Sequence, residues 1–197
     1  MRMQFLARAV IAGLAMTLPY TVNAASSDDW YAGLGFGRSE NKTPPDSRYN
    51  VRTLSSLDNE DSTVKVFGGY RLWDEYVAVE VSYADLGKFE ARGTTSGSPA
   101  VATQEIKTFT MGLVGYIPVI KSAGAIIHLG FSRNASKVNT TIGSTNSFQG
   151  ATDFEFYWGA GLQFDITKQF GARVELERFS VNGGDVNLPS AGVYYRF

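Results

Sequence analysis

The last seven residues of the chain alternate between two kinds of side chain. Apolar or aromatic residues stand at Ala191, Val193, Tyr195 and Phe197, and small or polar ones at Gly192, Tyr194 and Arg196. Successive side chains of a β-strand point to opposite faces, so this period of two predicts a strand with one apolar and one polar face. A strand of this kind requires an apolar medium on one side only, either a protein core or a lipid bilayer.

The opposite end of the chain has the pattern of an export signal. Residues 1–8 include two arginines and no acidic residue, 9–18 are apolar except for Thr17, and 22–24 form a short cleavage motif before an acidic pair. An apolar stretch of about ten residues is too short to cross a hydrocarbon layer of ~30 Å as a helix. We therefore predict a cleaved signal peptide at 1–24 and a single exported domain at 25–197.

The composition excludes several classes of protein. The chain has no Cys, which rules out a disulfide scaffold and a thiolate metal site. Its net charge of −1 gives no basic surface for nucleic acid. The glycine-rich segment 33–37 lies within a strand pattern and is not followed by a helix, so it lacks the context of a phosphate-binding loop. We expect no cofactor, no metal and no nucleic-acid partner.

Eight segments of the exported domain show the periodicity of strands. They are 30–38, 62–72, 76–86, 104–118, 124–133, 153–164, 170–179 and the terminal strand that ends at 197. The sixth is the clearest, with an apolar residue at every even position from 154 to 164. The fourth is ambiguous, because placing Val114 and Tyr116 outside forces Phe109, Met111 and Leu113 inward unless a bulge shifts the register. We leave its register open.

The charged residues share one face of these strands with the glycines. The members of this set are Lys65, Glu80, Glu155, Arg173, Glu175 and Arg196. A soluble barrel of the lipocalin kind has its apolar side chains inside and its polar ones outside. In lipid the apolar face must be the outer one, and a closed barrel is the only sheet that satisfies its backbone there. The pattern therefore favours a membrane barrel with a polar interior.

The connections between the strands alternate in length, as they do in transmembrane barrels. Short turns lie at 73–75, 119–123 and 165–169, and long polar segments, expected to be loops, lie at 39–61, 87–103, 134–152 and 181–188. Aromatic residues cluster near the short turns, at Trp30, Tyr70, Tyr76, Tyr116, Phe164, Phe170, Tyr195 and Phe197. We predict an all-β protein, an eight-stranded antiparallel up-and-down transmembrane barrel, with both termini on the short-turn, periplasmic side.

Several of these segments resemble the OmpA-type transmembrane domain. FGGYRL at 67–72 and YVAVEVSYADLG at 76–87 resemble its second and third strands, VGYIP at 114–118 its fourth, GAGLQFDIT at 159–167 its sixth, ARVE at 172–175 its seventh and GVYYRF at 192–197 its last. The resemblance implies a monomer in a Gram-negative outer membrane, surrounded by lipid and lipopolysaccharide. It also implies that the barrel-insertion machinery reads the last strand at Val193, Tyr195 and Phe197. No periplasmic domain follows Phe197 here, so we do not expect cell-wall anchoring.

The same resemblance suggests an interior gate formed by ion pairs. Glu80 matches its acidic member and Arg173 its basic member, whereas the alternative lysine falls at or near Leu113 and the second acid at Gln163. The remaining inward charges could supply other partners. Two interpretations stay open, a structural plug and a narrow path for small ions, because a barrel of eight strands is barely wide enough for its own side chains.

The single histidine, His128, raises the possibility of a lipid-modifying enzyme with Ser132 as the nucleophile. Both residues are predicted on the inward face, with Cα atoms about 13 Å apart along one strand. That separation prevents direct activation of the hydroxyl, so we predict no catalytic residue. The function expected is structural or interactive, in envelope integrity, adhesion or as a receptor with an unknown ligand at the loops. A small diffusion pore is the main alternative.

Overall fold

The computed structural model describes residues 29–42, 53–73, 76–181 and 183–197. The predicted signal peptide lies outside these residues. The strands are β1 (Trp30–Asn41), β2 (Thr53–Asp58), β3 (Glu60–Trp73), β4 (Val77–Thr95), β5 (Ser98–Ile120), β6 (Ala123–Ile142), β7 (Thr145–Asp165), β8 (Phe170–Val181) and β9 (Gly184–Arg196). No helix in the described part of the chain is long and apolar enough to cross a membrane.

Eight of the strands close into an antiparallel ring. Each strand from β3 to β9 pairs with its neighbour in the chain, and β1 closes the ring by pairing with both β3 and β9. The short strand β2 pairs with the last part of β4, beyond the segment of β4 that pairs with β3. It therefore continues the line of β3 on the far side of Asn59, which interrupts the two strands. The predicted eight-stranded barrel is confirmed, with this extension as an addition.

The outer surface of the ring is a continuous apolar band. The predicted outward faces of the strands other than the fourth are exposed as expected, for example Leu34, Val66, Val81, Leu129, Leu162 and Val174. The open register of the fourth predicted strand, now β5, is also settled. Phe109, Met111 and Leu113 face outward, whereas Val114 is buried inside and Tyr116 packs beside it. Tyr116 is thus an interior residue and was wrongly included among the interfacial aromatics.

At the end of the barrel where β1 begins and β9 ends, outward aromatic rings pack in pairs. Trp30 and Tyr70 have ring centroids 4.9 Å apart, and Tyr195 lies 5.0 Å from Phe170 and 5.2 Å from Phe197. These pairs belong to adjacent strands, or to one face of a single strand. They form the girdle expected where a barrel meets the membrane–water interface.

The prediction of long loops at 87–103 and 134–152 is wrong. These segments continue β4 to β7 as paired strands, and two-residue turns at 96–97 and 143–144 connect them. Ser96, Gly97 and Gly143 have the positive φ that such tight hairpin turns require. Likewise only two residues separate β8 from β9 within the predicted loop 181–188, and β1 and β3 take up both ends of the predicted loop 39–61.

The extended strands rise well past the apolar band. β5 has 23 residues, whereas a membrane-crossing strand needs about 9–11. We refer to β2 and the distal parts of β4 to β7 (residues 88–95, 98–107, 133–142 and 145–153) as the outer wall. The outward positions of these strands are mostly polar, whereas Phe89, Ala91, Ala100, Ala102 and Ile106 are buried on the inward side, and polar β-branched residues such as threonine support the pairing. The apolar signal is confined to short stretches of β4 and β5, so hydrophobic periodicity alone does not indicate the full length of the strands.

Candidate functional site: an ion-pair network inside the barrel

An arginine and a glutamate from opposite walls of the barrel meet in its interior. Arg173 of β8 donates two hydrogen bonds to Glu80 of β4, from Nη1 to Oε2 at 2.9 Å and from Nη2 to Oε1 at 3.0 Å. The hydroxyl of Tyr31 donates to the same carboxylate at 2.8 Å. The guanidinium carbon lies 3.3 Å from the centroid of the Phe67 ring. This two-pronged geometry is the strongest form of an ion pair and fixes the relative position of β4 and β8.

A lysine links two further carboxylates to this pair. Lys65 Nζ of β3 lies 2.7 Å from Glu175 Oε2 and 2.6 Å from Glu177 Oε2 on β8. Glu175 Oε1 in turn lies 3.2 Å from Arg173 Nε and 2.8 Å from His128 Nε2 of β6. These side chains form one connected cluster, which we call the ion-pair network.

The members of the network are cut off from solvent, and none of their side chains is more than a few per cent exposed. Three carboxylates there face the guanidinium of Arg173 and the amine of Lys65. With a neutral imidazole on His128 the set carries one excess negative charge, and with a protonated imidazole it is neutral. Charges withdrawn from water in this way are tolerated only when they are paired, so the network holds the strands together as a unit.

Inward glycines of neighbouring strands provide the space that these side chains occupy. A Cβ atom at Gly161 would lie 3.2 Å from the Cγ of Glu175, and one at Gly159 would lie 3.0 Å from the Cγ of Glu177. A Cβ at Gly33 would come within 2.2 Å of the Phe67 ring. The glycines that alternate with the apolar residues therefore leave room for the charges and rings of the interior.

Two different layers lie on either side of the network. Toward the outer wall the interior is an apolar core of Ala84, Leu86, Phe89, Ile106, Tyr157, Phe179, Val181, Val186 and Leu188. The rings of Tyr157 and Phe179 stack there at 5.7 Å with an angle of 12° between their planes. The interior at this end is therefore not polar throughout, because the apolar core lies beside buried, hydrogen-bonded side chains such as Gln104, Thr108 and Asn134.

The other side of the network opens into a pocket near the ends of β1 and β9. Ala78, Val114 and Ile126 form its apolar part. At its rim Arg196 forms an ion pair with Asp165, and the hydroxyl of Tyr194 donates to Asp165 at 2.6 Å. The pocket does not continue through the barrel, because the network and the apolar core lie beyond it.

The residues predicted for the interior site do not all come together. Glu80, Arg173, Lys65 and Glu175 come together in the network, Arg196 lies apart at the rim of the pocket, and Glu155 makes no ion pair with any described residue. Leu113 faces outward and Gln163 lines the pocket, so neither substitutes for the gate residues of the resembled family. Lys65 of β3 pairs instead with Glu175 and Glu177.

Sequence reasoning missed three members of the site. Glu177 continues the period of Arg173 and Glu175, and Tyr31 lies on the inward face of β1, so periodicity already indicated where both point. His128 was predicted as an interior polar residue, but its contact with Glu175 depends on the curvature of the ring. Ser132 is not its partner, since its hydroxyl donates to the backbone carbonyl of Glu155 at 3.3 Å.

Comparisons with known proteins agree with this architecture. The family described as "Outer membrane protein beta-barrel domain" matches residues 9–197. The structure is similar to that of Ail, the attachment invasion locus protein of Yersinia pestis, with a TM-score of 0.59 and 18% identity over 86% of this chain and 99% of Ail. A comparison with curated protein sequences gives no significant match.

Two barrels of Pseudomonas aeruginosa are similar as well. The outer membrane protein OprG aligns with a TM-score of 0.58 and 12% identity over 86% of this chain and 96% of its own. The N-terminal barrel domain of OprF aligns with a TM-score of 0.51 and 15% identity over 86% of this chain and 98% of its own. The chain therefore belongs to the outer membrane protein beta-barrel domain family, and its ring of eight strands has the fold of these outer-membrane barrels.

Proposed function

We propose that the protein is a closed barrel with a structural and surface-interaction role, in envelope integrity, in adhesion or as a receptor. The observation that carries this proposal is the filled interior. The ion-pair network is followed by the apolar core and by buried polar side chains that hydrogen-bond beside it, which is the arrangement of a plug. Passage of small ions requires Arg173 and Glu80 to separate, and the apolar core also has to open.

The two alternatives have weaker support. A diffusion pore requires an open, solvent-filled path, and buried side chains that are packed, hydrogen-bonded or ion-paired occupy the interior beyond the pocket. A lipid-modifying enzyme requires a nucleophile next to its base, and His128 contacts Glu175 while Ser132 contacts the backbone. We therefore propose a barrel without enzymatic activity that acts as a monomer.

The plug leads to a prediction about conductance. In planar lipid bilayers the parent protein should remain closed for most of the recording and show only brief, small openings. Removing the apolar core with the double substitution Phe179→Ala and Tyr157→Ala should lengthen the openings, because it vacates the layer above the network. Single-channel recording in potassium chloride measures the duration of the openings in the parent and in the double variant. The substitution Phe148→Ala in the outer wall is the control, and a steadily open parent channel would support the diffusion pore instead.

The outer wall is the part of the molecule best placed to contact another surface. All residues of β7 from 145 to 152 are exposed on both faces, because β8 pairs with β7 only from Tyr157 onward. Ail, which has a similar fold, has been crystallised in complex with the heparin analogue sucrose octasulfate. We propose by analogy that the outer wall binds a ligand on the cell exterior, and its paired strands present that surface as a rigid sheet.

Shortening the wall should separate adhesion from folding. Replacing residues 137–150 by a two-residue Asn-Gly turn removes the tip of the β6–β7 hairpin but leaves the membrane-spanning pairs intact. We expect normal amounts in the outer membrane and a loss of at least tenfold in binding of cells that display the protein to immobilised host matrix. A variant shortened at the turn between β7 and β8 is the matched control. Undiminished binding would exclude the wall as the contact surface.

We further propose that residues 1–24 are a cleaved signal peptide and that both ends of the barrel chain lie in the periplasm. The outward residues Val193, Tyr195 and Phe197 are then accessible to the barrel-insertion machinery at the periplasmic end. Replacing Phe197 by Asp should lower the folded protein in outer-membrane fractions several-fold, since it puts a charge among the rings of the girdle. The control is Lys168→Asp in an exposed turn at the same end. Equal amounts of both variants would contradict this role.

A further inference from the structure

The pocket at the end of the barrel where β1 begins has a wall made largely of tyrosine rings. Each of three rings lies over an inward glycine of a neighbouring strand, and a Cβ atom at any of these glycines would overlap the ring. The pairs are Tyr31 on Gly69, Tyr116 on Gly124 and Tyr194 on Gly171. The glycines therefore let the rings lie close to the wall, and a small free space remains between them.

Arg196 of β9 brings a guanidinium to the rim of this pocket, and only part of that group is engaged. Its Nη2 donates to Asp165, and to the hydroxyl of Tyr194 at 2.8 Å. Its Nε–H group is buried and has no hydrogen-bond acceptor among the described residues. A guanidinium carries five N–H groups in one plane, so it can hold a second anion while it keeps the first. A buried donor without an acceptor is unfavourable, and an anionic ligand would satisfy it.

The pocket has a charged side and an apolar side. Arg71 of β3 also lines it, so two guanidinium groups accompany one carboxylate, that of Asp165, among the described residues of its wall. Ala78, Val114 and Ile126 of β4, β5 and β6 pack together as the apolar side. In the order of strands around the ring, β5 lies opposite β9, which carries the arginine of the rim. A ligand that suits both sides has a negative charge at one end and hydrocarbon at the other.

We propose that this pocket binds a small carboxylate with a short hydrocarbon tail. The carboxylate lies on Arg196 and Arg71, since a guanidinium pairs with a carboxylate through two parallel hydrogen bonds. The tail lies on the apolar side, and the small free space limits it to a few carbon atoms. This site is separate from the proposed surface role, and only the source of the ligand rests on the proposed placement of the termini. With the termini in the periplasm, the ligand arrives from there as a free short-chain acid or as the end of a peptide with a small last residue.

The test uses the full folded barrel in detergent micelles, where binding does not depend on its orientation in a membrane. The probes are acetate, propionate, the uncharged analogue propionamide, N-acetylalanine as the end of a peptide, and inorganic phosphate. Titrations are followed by the NMR signals of the methyl groups of Ala78, Val114 and Ile126 and of the Arg196 Nε–H group. We expect propionate to shift all of them along one saturable curve, with a Kd in the millimolar range for so small a ligand. Propionate should bind about fourfold tighter than acetate, because it buries one more methylene group.

Two variants should change the affinity for propionate in opposite directions. D165N removes the carboxylate that shares Arg196 and should bind propionate more tightly than the parent. The double variant D165N/R196Q removes the guanidinium as well and should bind it about tenfold more weakly than the parent, because hydrogen bonds to a charged donor are lost. The matched control is R38Q/E60Q, which removes an exposed ion pair at the other end of the barrel and should bind like the parent. A thermal melt checks that each variant is folded.

The absence of a saturable shift with propionate would overturn the proposal, and so would an unchanged Kd in the folded double variant. Propionamide that binds as tightly as propionate would overturn the role of the charge, and phosphate that binds as tightly would overturn the assignment to carboxylates. Tighter binding of N-acetylalanine than of propionate supports the end of a peptide as the source, and the reverse order supports a free acid. None of these results alters the adhesion experiment, so the two proposals fail separately.

Discussion

Removing Arg173 or Glu80 alone should destabilise the barrel by about 3–5 kcal/mol each, because either change leaves a buried charge without its partner. The two losses should differ in size. Without Arg173, Glu80 and Glu175 both lose a cation, whereas without Glu80 the arginine keeps its contact with Glu175. We therefore expect Arg173→Ala to be the more damaging substitution. Urea titration of the folded protein in lipid vesicles measures the free energies of unfolding.

The double variant should regain part of the stability, and the coupling energy of the cycle measures the interaction of Glu80 with Arg173. The recovery should stay incomplete because Glu175 remains buried with Lys65 and His128. The exposed pair Arg38 and Glu60 is the control, and its cycle should give at most about 1 kcal/mol. A coupling energy near zero for Glu80 and Arg173 would show that they do not support each other.

The second large effect should come from an arginine on the lipid face. Leu162 is half exposed on the outer face of β7 and pairs with Ala125 and Val174 on the neighbouring strands. Leu162→Arg should cost about 2–4 kcal/mol if the side chain lies near the bilayer midplane. The neighbouring substitution Gln163→Arg points into the pocket, where the charge can reach water at the open rim instead of lipid, so its cost should be smaller.

The same urea titration in vesicles measures both substitutions. The same variants are then compared in detergent micelles. The loss of stability caused by Leu162→Arg should be smaller there, because water reaches the outer surface of the barrel, and the difference gives the contribution of the lipid. Similar losses for the two variants in vesicles would mean that the inward and outward faces of β7 had been interchanged.

Much of the fold follows from local properties of the sequence. The period of two in β7 and β9 determines which side chains face outward, because the pleat of a strand leaves no other choice. The charges at Lys65, Glu80, Arg173 and Glu175 lie on the opposite face, and exclusion of charge from lipid then places them inside a closed ring. The fold can thus be recognised from the alternation of side chains two positions apart along each strand.

Tertiary structure decided the features that depend on distant segments. The inward turn of Val114 depends on pairing with β4 and β6, since its own strand has apolar residues on both faces. The outer wall depends on partners as well, because its outward face is polar and its inward residues, such as Phe89 and Ile106, become buried only when the neighbouring strands pair. Which charges meet was equally undetermined by the sequence. Arg173 contacts Glu80 across the lumen because the closed ring brings β4 and β8 face to face, and the distances between opposite walls are set by the number and tilt of the strands.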